Sequence, residues 1–334
     1  MIDSSLTTKL RNFVDEANNI LIVQADNPDA DSLGSALALD VIFSEQDKNS
    51  SLYCAVSMPT YLHYIKGWDR VSNSLPSDFD LVVIVDASSL SLLEKVQSDR
   101  CFSKFRKSQK VIIDHHEIVT DPIDSELSII DTTCSSASEL IYSLSADLGW
   151  NLPLQAQEPL MSGILGDTQG LTNSMASPST YRVIANIIEA GVDRGELEER
   201  RRSYSKFQTS IFRYKADLIY KTDFNNTGEI AFTTVEQDDI NEYSPLYNPA
   251  ALIHGDMLQV ESVRLAIVFK SYDDGKITAS IRSNNDAPIC SMLASEFGGG
   301  GHSYAGGFKI QNSENHINVI SECLKVAESL LKEC

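Results

Sequence analysis

Aspartates follow three short apolar runs of the sequence, and this arrangement constrains the fold more than any other feature. Residues 20–23 precede Asp29 and Asp31, residues 81–85 precede Asp86, and residues 111–113 precede Asp114-His115-His116. Short buried strands that alternate with helices form parallel sheets, and ligands bind outside the carboxyl ends of such strands. The three runs therefore predict an α/β domain whose acids point into one crevice.

The predicted crevice would hold several carboxylates close together. A fourth acid, Asp167, lies in the small-residue turn Gly166-Asp167-Thr168. Crowded carboxylates repel one another unless cations neutralise them. Carboxylate oxygens with one or two imidazoles suit Mn²⁺ or Mg²⁺ better than zinc bound by thiols. The sequence predicts a hydrolytic centre with two metal ions.

A two-metal site needs at least one carboxylate that bridges both ions. Asp86 stands alone at the end of its run, so it is the predicted bridge and a catalytic residue. The other predicted metal ligands are Asp29, Asp31, His115 and Asp167. His116 would be left to contact the phosphate or to transfer a proton, so it is the second predicted catalytic residue.

Each of these acids also has a plainer explanation. Asn-Pro-Asp is a common turn, and an aspartate after a strand often caps a helix. For a single cluster we would favour the turn or the cap, but four clusters with adjacent histidines favour metal binding. The isolated His63 and His254 are predicted to have structural or surface roles.

The composition indicates a globular chain with two domains. The chain has 334 residues, of which 42% are hydrophobic and 22% charged. It is too long for one ordinary core and too apolar for a disordered chain. The net charge of −20 argues against binding of long duplex nucleic acid, which Lys and Arg contacts hold. A small anionic substrate escapes this objection when metal ions supply the positive charge.

The cysteines and the hydropathy suggest the compartment. Six cysteines without a Cys-x-x-Cys pair favour reduced thiols over a disulfide frame or a zinc site. The first residues lack a signal-peptide layout, and no apolar stretch approaches the roughly 18 residues of a spanning helix. We expect a cytoplasmic protein with no membrane partner. The oligomeric state is left open, with a homodimer as a candidate.

Hydrophobic periodicity predicts two regions of different organisation. Helices are expected at 6–17, 33–43, 90–105, 136–148, 154–165 and 181–189, and residues 193–206 form a charged linker helix with ion pairs. Strands follow at 229–235, 263–269 and 276–282, with helices at 249–260, 287–297 and 317–331. The predicted boundaries are a catalytic domain over 1–192, a linker helix over 193–212 and a smaller α+β domain over 213–334.

The run Gly298-Gly299-Gly300-Gly301-His302 is the second strong motif. Four successive glycines cost backbone entropy, so they predict a loop whose N–H groups approach an anion or a nucleobase, with His302 as a further donor. Arg282, at the end of a predicted strand, is a candidate phosphate clamp, and Ser283 beside it is a weaker candidate. The alternative is that the glycines only make room for packing.

Together these motifs resemble the DHH/DHHA1 phosphoesterases. The likeness covers nearly the whole chain and is closest to the bacterial oligoribonuclease (nanoRNase) and phosphoadenosine-phosphatase type. RecJ exonuclease and family II inorganic pyrophosphatases are more distant relatives.

The resemblance implies a DHH catalytic domain with a parallel sheet and helices on both faces, and a smaller DHHA1 substrate-binding domain. It also implies Mn-dependent hydrolysis of phosphoester bonds by the ligands named above, with His116 near the phosphate. The substrate would be held by Arg282, Gly299, Gly300, Gly301 and His302.

One position departs from the family pattern. That pattern begins with a histidine three residues before Pro28, where this chain has Ala25. A methyl group cannot bind a metal ion, so one of the two ions is expected to be held weakly. Gln24 and Asp26 flank Ala25, but neither is a simple replacement for the missing ligand, because neighbouring residues in an extended strand point to opposite faces.

We therefore expect a Mn²⁺-dependent phosphodiesterase or phosphatase, with Mg²⁺ as an alternative metal. Its expected substrates are short single-stranded RNA, linear dinucleotides or 3′-phosphoadenosine 5′-phosphate. A nucleotide-binding protein that has lost catalysis is the first alternative, and Ala25 favours it. An inorganic pyrophosphatase or exopolyphosphatase is the second, and the lack of a dense Lys/Arg cluster weighs against it.

Overall fold

A computed structural model describes residues 3–116, 121–244, 247–311 and 315–334 of the chain, without the side chain of His302. The chain divides into two compact units, Met1–Lys206 and Phe207–Cys334. The division lies within the range 193–212 that we expected as a linker.

The first unit is built on a five-stranded parallel sheet, which confirms the predicted α/β class. Its strands are β1 (Asn19–Val23), β2 (Asn49–Tyr53), β3 (Leu81–Val85), β4 (Gln109–Asp114) and β5 (Leu127–Ile130), in the order β2-β1-β3-β4-β5. Consecutive residues of β1 face opposite cores: Ile20 and Ile22 belong to one hydrophobic cluster, and Leu21 and Val23 to another. Both faces of the sheet are therefore covered.

The helices of this unit are α1 (Ser4–Glu16), α2 (Ala30–Ser44), α3 (Phe102–Lys107), α4 (Ala137–Leu148), α5 (Leu154–Asp167), α6 (Pro178–Glu189) and α7 (Arg194–Tyr204). The single helix expected over 90–105 is wrong. That segment forms two 3-10 helices, Leu90–Leu93 and Lys95–Ser98, before α3. The side chain of Asp99 accepts hydrogen bonds from the amides of Leu75 and Cys101, so it holds the backbone in an extended conformation between the helices.

Helices α2 and α5 pack closely because small residues line their contact. A Cβ atom on Gly34 would lie 2.4 Å from the carbonyl oxygen of Pro159, and one on Gly166 would lie 2.8 Å from Cβ of Ala30. Neither distance is possible for real atoms, so these positions require glycine. The close approach brings the start of α2 next to the end of α5.

Helix α7 packs on the first unit and carries the predicted ion pairs. Its Leu197 is buried in the larger core, and Arg200 donates to the carbonyl oxygen of Tyr64 at 3.2 Å. Glu198 pairs with Arg201 at 2.7 Å and with Arg202 at 3.0 Å. The charged segment is thus a surface helix, as its composition indicates.

The second unit is a smaller α+β domain, as predicted. Its strands are β6 (Asp223–Phe224), β7 (Ile230–Val235), β8 (Leu265–Ser271), β9 (Ile277–Ser283), β10 (Gly300–His302) and β11 (Ala305–Ile310), in the order β10-β11-β9-β8-β7-β6. Only the β7–β8 pair is parallel among these strands. Its helices are α8 (Thr209–Tyr220), α9 (Gln237–Tyr243), α10 (Pro249–Leu258), α11 (Cys290–Glu296) and α12 (His316–Glu333).

Two further expectations concern the whole chain. All six cysteines are free thiols, as their spacing predicts. Among the described residues, none of the helices has the length and apolar character that crossing a bilayer requires.

Candidate metal centre

The loop after β3 holds Asp86 in an unusual backbone conformation. Its φ is +55°, in the left-handed region that residues with a side chain rarely adopt. The amide of Asp86 donates to the carbonyl oxygen of Ile113 at 3.0 Å, which continues the pairing of β3 with β4. The left-handed turn leaves the carboxylate buried at the end of the sheet, where Oδ1 makes no hydrogen bond among the described residues.

Asp114, the last residue of β4, orients both following histidines. Its Oδ1 accepts hydrogen bonds from the amides of His115 at 2.7 Å and His116 at 3.2 Å, and from Nδ1 of His116 at 2.8 Å. Burial acts to raise the pKa of Asp114, but the bonds from His116 outweigh it and lower the pKa to about 2. We did not predict Asp114 as a site residue, and in the structure it binds the backbone of both histidines and the ring of His116.

Asp31 joins the centre to the start of helix α4. Its two carboxylate oxygens accept from the amides of Ala137 at 2.6 Å and Ser138 at 2.9 Å, which are among the unpaired donors of the first turn. The positive end of the helix dipole favours this negative charge. Helix α4 itself begins as predicted, with Ser136 Oγ accepting from the amide of Glu139.

Asp29 caps helix α2 and is exposed, unlike Asp31. Its Oδ1 accepts from the amides of Asp31 at 3.0 Å and Ser32 at 2.9 Å, and Ser32 completes a capping box. Asp29 therefore acts as a helix cap, which is the plainer of the two explanations of this acid. One oxygen remains outside this cap and could still contact a cation.

Asp167 comes to the centre from the last turn of helix α5. Its carbonyl oxygen accepts from the side-chain amide of Asn173 at 2.7 Å. The residues that follow are bent sharply, because Gln169, Gly170 and Leu171 all have φ between +51° and +75°. This segment turns the chain away directly after the acid.

Nε2 of His115 lies at the meeting point of three carboxylates. It is 3.2 Å from Oδ2 of Asp167, 3.6 Å from Oδ1 of Asp86 and 4.0 Å from Oδ2 of Asp31. His116 is nearby, with its Nδ1 3.6 Å from Oδ1 of Asp86. The structure thus brings together four of the five predicted metal ligands.

The charges of this cluster favour a cation. Nε2 of His115 is buried and faces the carboxylate of Asp167 at 3.2 Å. Burial, followed by the charge of Asp167, raises the pKa of Asp31 to about 7, and burial with the charge of Asp31 raises that of Asp86 well above its usual range. Burial lowers the pKa of His115, but Asp167 and Asp86 raise it to about 11. Carboxylates and an imidazole crowded in this way form a donor set that fits a hard or borderline divalent ion.

Ala25, at the position of the missing histidine, has an apolar environment. Ala25 is buried among Leu21, Val23 and other apolar residues, and its carbonyl oxygen accepts from the thiol of Cys54. Gln24, one residue earlier, is fully buried, and both polar atoms of its amide have no hydrogen-bond partner among the described residues.

Glu139, which we did not predict as a site residue, stabilises the backbone next to the centre. Glu139 is buried in α4 and accepts from the hydroxyls of Ser135 at 2.6 Å, Ser179 at 3.0 Å and Thr180 at 2.8 Å. It ties the start of α4 to the start of α6, so it holds the amides that bind Asp31. The run of small polar residues before Glu139 is the sequence signal that could have indicated this role.

The predicted substrate-binding residues lie together in the second unit. Arg282 of β9 pairs with Ala305 of β11, which in turn pairs with His302 of β10, so the three positions are level across adjacent strands. Arg282 is exposed and donates to the carbonyl oxygen of Ile281, and Ser283 Oγ accepts from the thiol of Cys290 at 3.3 Å. The side chain of His302 lies outside the described part of the chain.

Packing explains two of the four consecutive glycines, and backbone conformation explains a third. A Cβ on Gly299 or Gly301 would lie 2.2–2.3 Å from a carbonyl oxygen of β11, whereas Gly298, just after α11, has φ +72° and nothing within 4 Å of the Cβ it lacks. Gly300 also has nothing within 4 Å of its missing Cβ, and its φ is not in the left-handed region. The predicted alternative of room for packing therefore applies to Gly299 and Gly301, and neither reason applies to Gly300.

The two isolated histidines have structural contacts, as predicted. His63 stacks on Trp68 with the ring centroids 3.4 Å apart. His254 is buried in α10 with Nε2 3.2 Å from the carbonyl oxygen of Ser280. Burial, helped by the charge of Arg282, lowers the pKa of His254 to about 4, so the ring is neutral at pH 7.

Comparison with known proteins agrees with this arrangement. Residues 19–164 match the DHH family, N-terminal domain, and residues 249–333 match the DHHA1 domain. The chain is 23% identical over 331 residues to the bifunctional oligoribonuclease and PAP phosphatase NrnA of Bacillus subtilis, covering 98% of this chain and 99% of that protein. A second relative, with the same name, is that of Thermus thermophilus, 23% identical over 289 residues and covering 86% of this chain and 83% of that protein.

Solved structures share the fold. An exopolyphosphatase-related protein from Bacteroides fragilis superposes with a TM-score of 0.85 at 22% identity, covering 99% of both chains. RecJ from Thermus thermophilus, solved with Mn²⁺, superposes with a TM-score of 0.57 at 13% identity, covering 99% of this chain and 54% of that one.

Proposed function

Because this chain belongs to the DHH family of phosphoesterases and carries its DHHA1 domain, we propose that it hydrolyses phosphoester bonds in short nucleotides with two divalent metal ions. The proposed substrates are short oligoribonucleotides, linear dinucleotides and 3′-phosphoadenosine 5′-phosphate. The names of relatives such as the Bacillus subtilis protein support this range. Mn²⁺ is the proposed metal, with Mg²⁺ as the alternative, and a cytoplasmic location stays a prediction.

The observation that carries the proposal is the position of His115. Its Nε2 lies within 4.0 Å of carboxylate oxygens from Asp31, Asp86 and Asp167, each from a different segment of the chain. These four residues would hold the first ion. Asp86 would bridge to the second, and Asp29 would contribute its remaining oxygen there.

The chemistry that such ions supply when bound is a water of lowered pKa and compensation of charge on the phosphoryl oxygens. The protein's own residues would position the reacting groups. Asp114 accepts from Nδ1 of His116, which fixes the ring beside Asp86. His116 would therefore contact the phosphate or transfer a proton in a defined orientation. Arg282, Ser283 and the backbone of Gly299 to His302 would bind the substrate in the second unit.

An assay with purified protein tests the function. Mass spectrometry would follow oligoribonucleotides of two to five nucleotides, 3′-phosphoadenosine 5′-phosphate and pyrophosphate, each with added Mn²⁺, and Asp86→Asn as the inactive control. We expect hydrolysis of the nucleotides that exceeds hydrolysis of pyrophosphate. Absence of turnover with every phosphoester would refute the proposal. Tight dinucleotide binding without product would instead favour a nucleotide-binding protein, the alternative that Ala25 suggests.

A further inference from the structure

Tyr61 presents an exposed aromatic ring beside the loop that carries Asp29. The residue is 52% exposed, yet its hydroxyl donates a 3.0 Å hydrogen bond to the carbonyl oxygen of Pro28. A surface tyrosine can satisfy its hydroxyl with water, so a bond to the protein is not required for solvation. The bond fixes the polar end of the ring against the loop and leaves the rest of the ring accessible.

The turn that carries Tyr61 is anchored to the core of the first unit. Tyr61 is the middle residue of the 3-10 helix Thr60–Leu62, and the adjacent Leu62 is buried in the core of the first unit. Tyr64 and Ile65 are buried in the same core, and Arg200 of α7 donates to the carbonyl oxygen of Tyr64. A ring on such a turn loses little conformational entropy when a ligand covers it.

Tyr61 is also close to the acidic centre. Pro28, which accepts the bond from its hydroxyl, directly precedes Asp29 in the chain. Burial of the hydroxyl, and then the negative charge of Asp29, raise the pKa of Tyr61. The neutral aromatic face of Tyr61 suits the flat, uncharged part of a nucleotide whose phosphate lies at the acids.

We propose that the ring of Tyr61 stacks on a nucleobase of the substrate whose phosphate is held at the metal centre. This inference rests on the function proposed above and narrows it to substrates that carry a base next to the reacting phosphate. Stacking tolerates any base, because every base has a π face. Tyr61 would therefore determine the class of substrate rather than the base sequence.

The test compares Tyr61→Ala, Tyr61→Phe and a matched control, Tyr220→Ala, which removes an exposed tyrosine at the end of α8 that is 91% exposed. Kinetic constants would be measured for a dinucleotide and for two derivatives that each lack one base. The fluorescence of a 2-aminopurine dinucleotide, which stacking quenches, would be recorded in parallel as a readout that does not depend on turnover.

We expect Tyr61→Ala to raise KM for the dinucleotide about 5- to 150-fold, the range for loss of one stacked base. It should change KM little for the derivative that lacks the stacked base, and quenching of 2-aminopurine should disappear. Tyr61→Phe should retain most of the affinity, because it keeps the ring. Tyr220→Ala should behave as the wild type.

An equal effect of Tyr61→Ala on all three substrates, or no effect on any, would overturn the stacking role while wild-type turnover still supported the proposed function. If the wild type hydrolysed none of the phosphoesters, the function itself would fail. The 2-aminopurine signal would then decide whether Tyr61 stacks on bases in a protein that only binds them.

Discussion

Replacement of Gly163 by alanine should disturb the metal centre from a position that contacts no substrate. A Cβ on Gly163 would lie 2.1 Å from Oγ of Ser138 and 2.6 Å from Oδ1 of Asp31. Both atoms are already engaged: Ser138 Oγ lies 3.0 Å from Oγ of Ser35, and Asp31 Oδ1 accepts from the amide of Ser138. A methyl group therefore cannot enter without moving the start of α4 or the Asp31 carboxylate.

The expected change in the free energy of unfolding is the balance of stabilising and destabilising contributions. Alanine in a helix interior is favoured over glycine by roughly 0.5–1 kcal/mol. Overpacking costs about 1–3 kcal/mol, and weakening a hydrogen bond to a charged group costs about 1.5–3 kcal/mol. We expect Gly163→Ala to lower the free energy of unfolding of the first unit by about 1.5–5.5 kcal/mol on this sum. Displacement of Asp31 should lower the affinity for Mn²⁺ by roughly 10- to 100-fold.

Gly255→Ala is the matched control. Gly255 lies inside helix α10 of the second unit, and nothing lies within 4 Å of the Cβ it lacks. This variant should therefore gain roughly 0.5–1 kcal/mol and bind Mn²⁺ normally.

The two units can be followed separately. Both tryptophans, Trp68 and Trp150, lie in the first unit, so their fluorescence during urea unfolding reports on Gly163→Ala. Far-ultraviolet circular dichroism reports on the helices of both units, so a change seen by circular dichroism and absent from the tryptophan fluorescence reports on Gly255→Ala. Calorimetric titration would give the Mn²⁺ affinities. If Gly163→Ala were stabilised like Gly255→Ala and bound Mn²⁺ as the wild type does, the assigned contact between α5 and the centre would be wrong.

Three further predictions concern the centre itself. Asp86→Asn should abolish hydrolysis while leaving the metal-free fold at least as stable, since it removes one of several crowded charges; an assay that found most of the rate intact would contradict the bridging role. Purified protein should retain about one Mn²⁺ per chain by elemental analysis, because Asp29 caps α2 and Ala25 offers no ligand. The second ion should bind only at higher concentrations of free Mn²⁺. Equal full occupancy of both sites without added metal would show that another group replaces the missing histidine. The bonds that lower the pKa of Asp114 to about 2 should contribute about 2 kcal/mol to stability above pH 4, and this contribution should fade as pH falls from 4 towards 2. The stability difference between wild type and Asp114→Asn, measured by urea unfolding across that range, should shrink accordingly, and a constant difference would count against the assignment.

The sequence predicted those elements whose signals are local. Periodic apolar residues located α2, α5 and α12, and apolar runs located β1, β3 and β4. Strands β2 and β5 were not predicted, because they are edge strands with partly exposed or alternating residues. Their pairing depends on neighbours far along the chain, which no local pattern contains.

The site was predictable where acids follow strands, but its support was not. Asp31 contacts the amide of Ala137, 106 residues later, and Gly163 is required by a side chain of another helix. Such contacts depend on how helices pack, so a sequence pattern of ligands does not reveal them. Asp114 escaped prediction for a related reason: a motif of three polar residues does not say which one faces the ion and which one orients the others.

The left-handed backbone at Asp86 means that the best residue for stability and the best residue for chemistry differ at this position. A φ of +55° disfavours most residues with a side chain by roughly 1–2 kcal/mol, aspartate and asparagine less than the others, and glycine would adopt it without strain. Random drift under selection for folding alone would therefore tend to replace Asp86 with glycine or asparagine. An aspartate that persists there in an unknown homologue would mark a protein still selected for the reaction, and its replacement would mark one that has kept the fold after losing it.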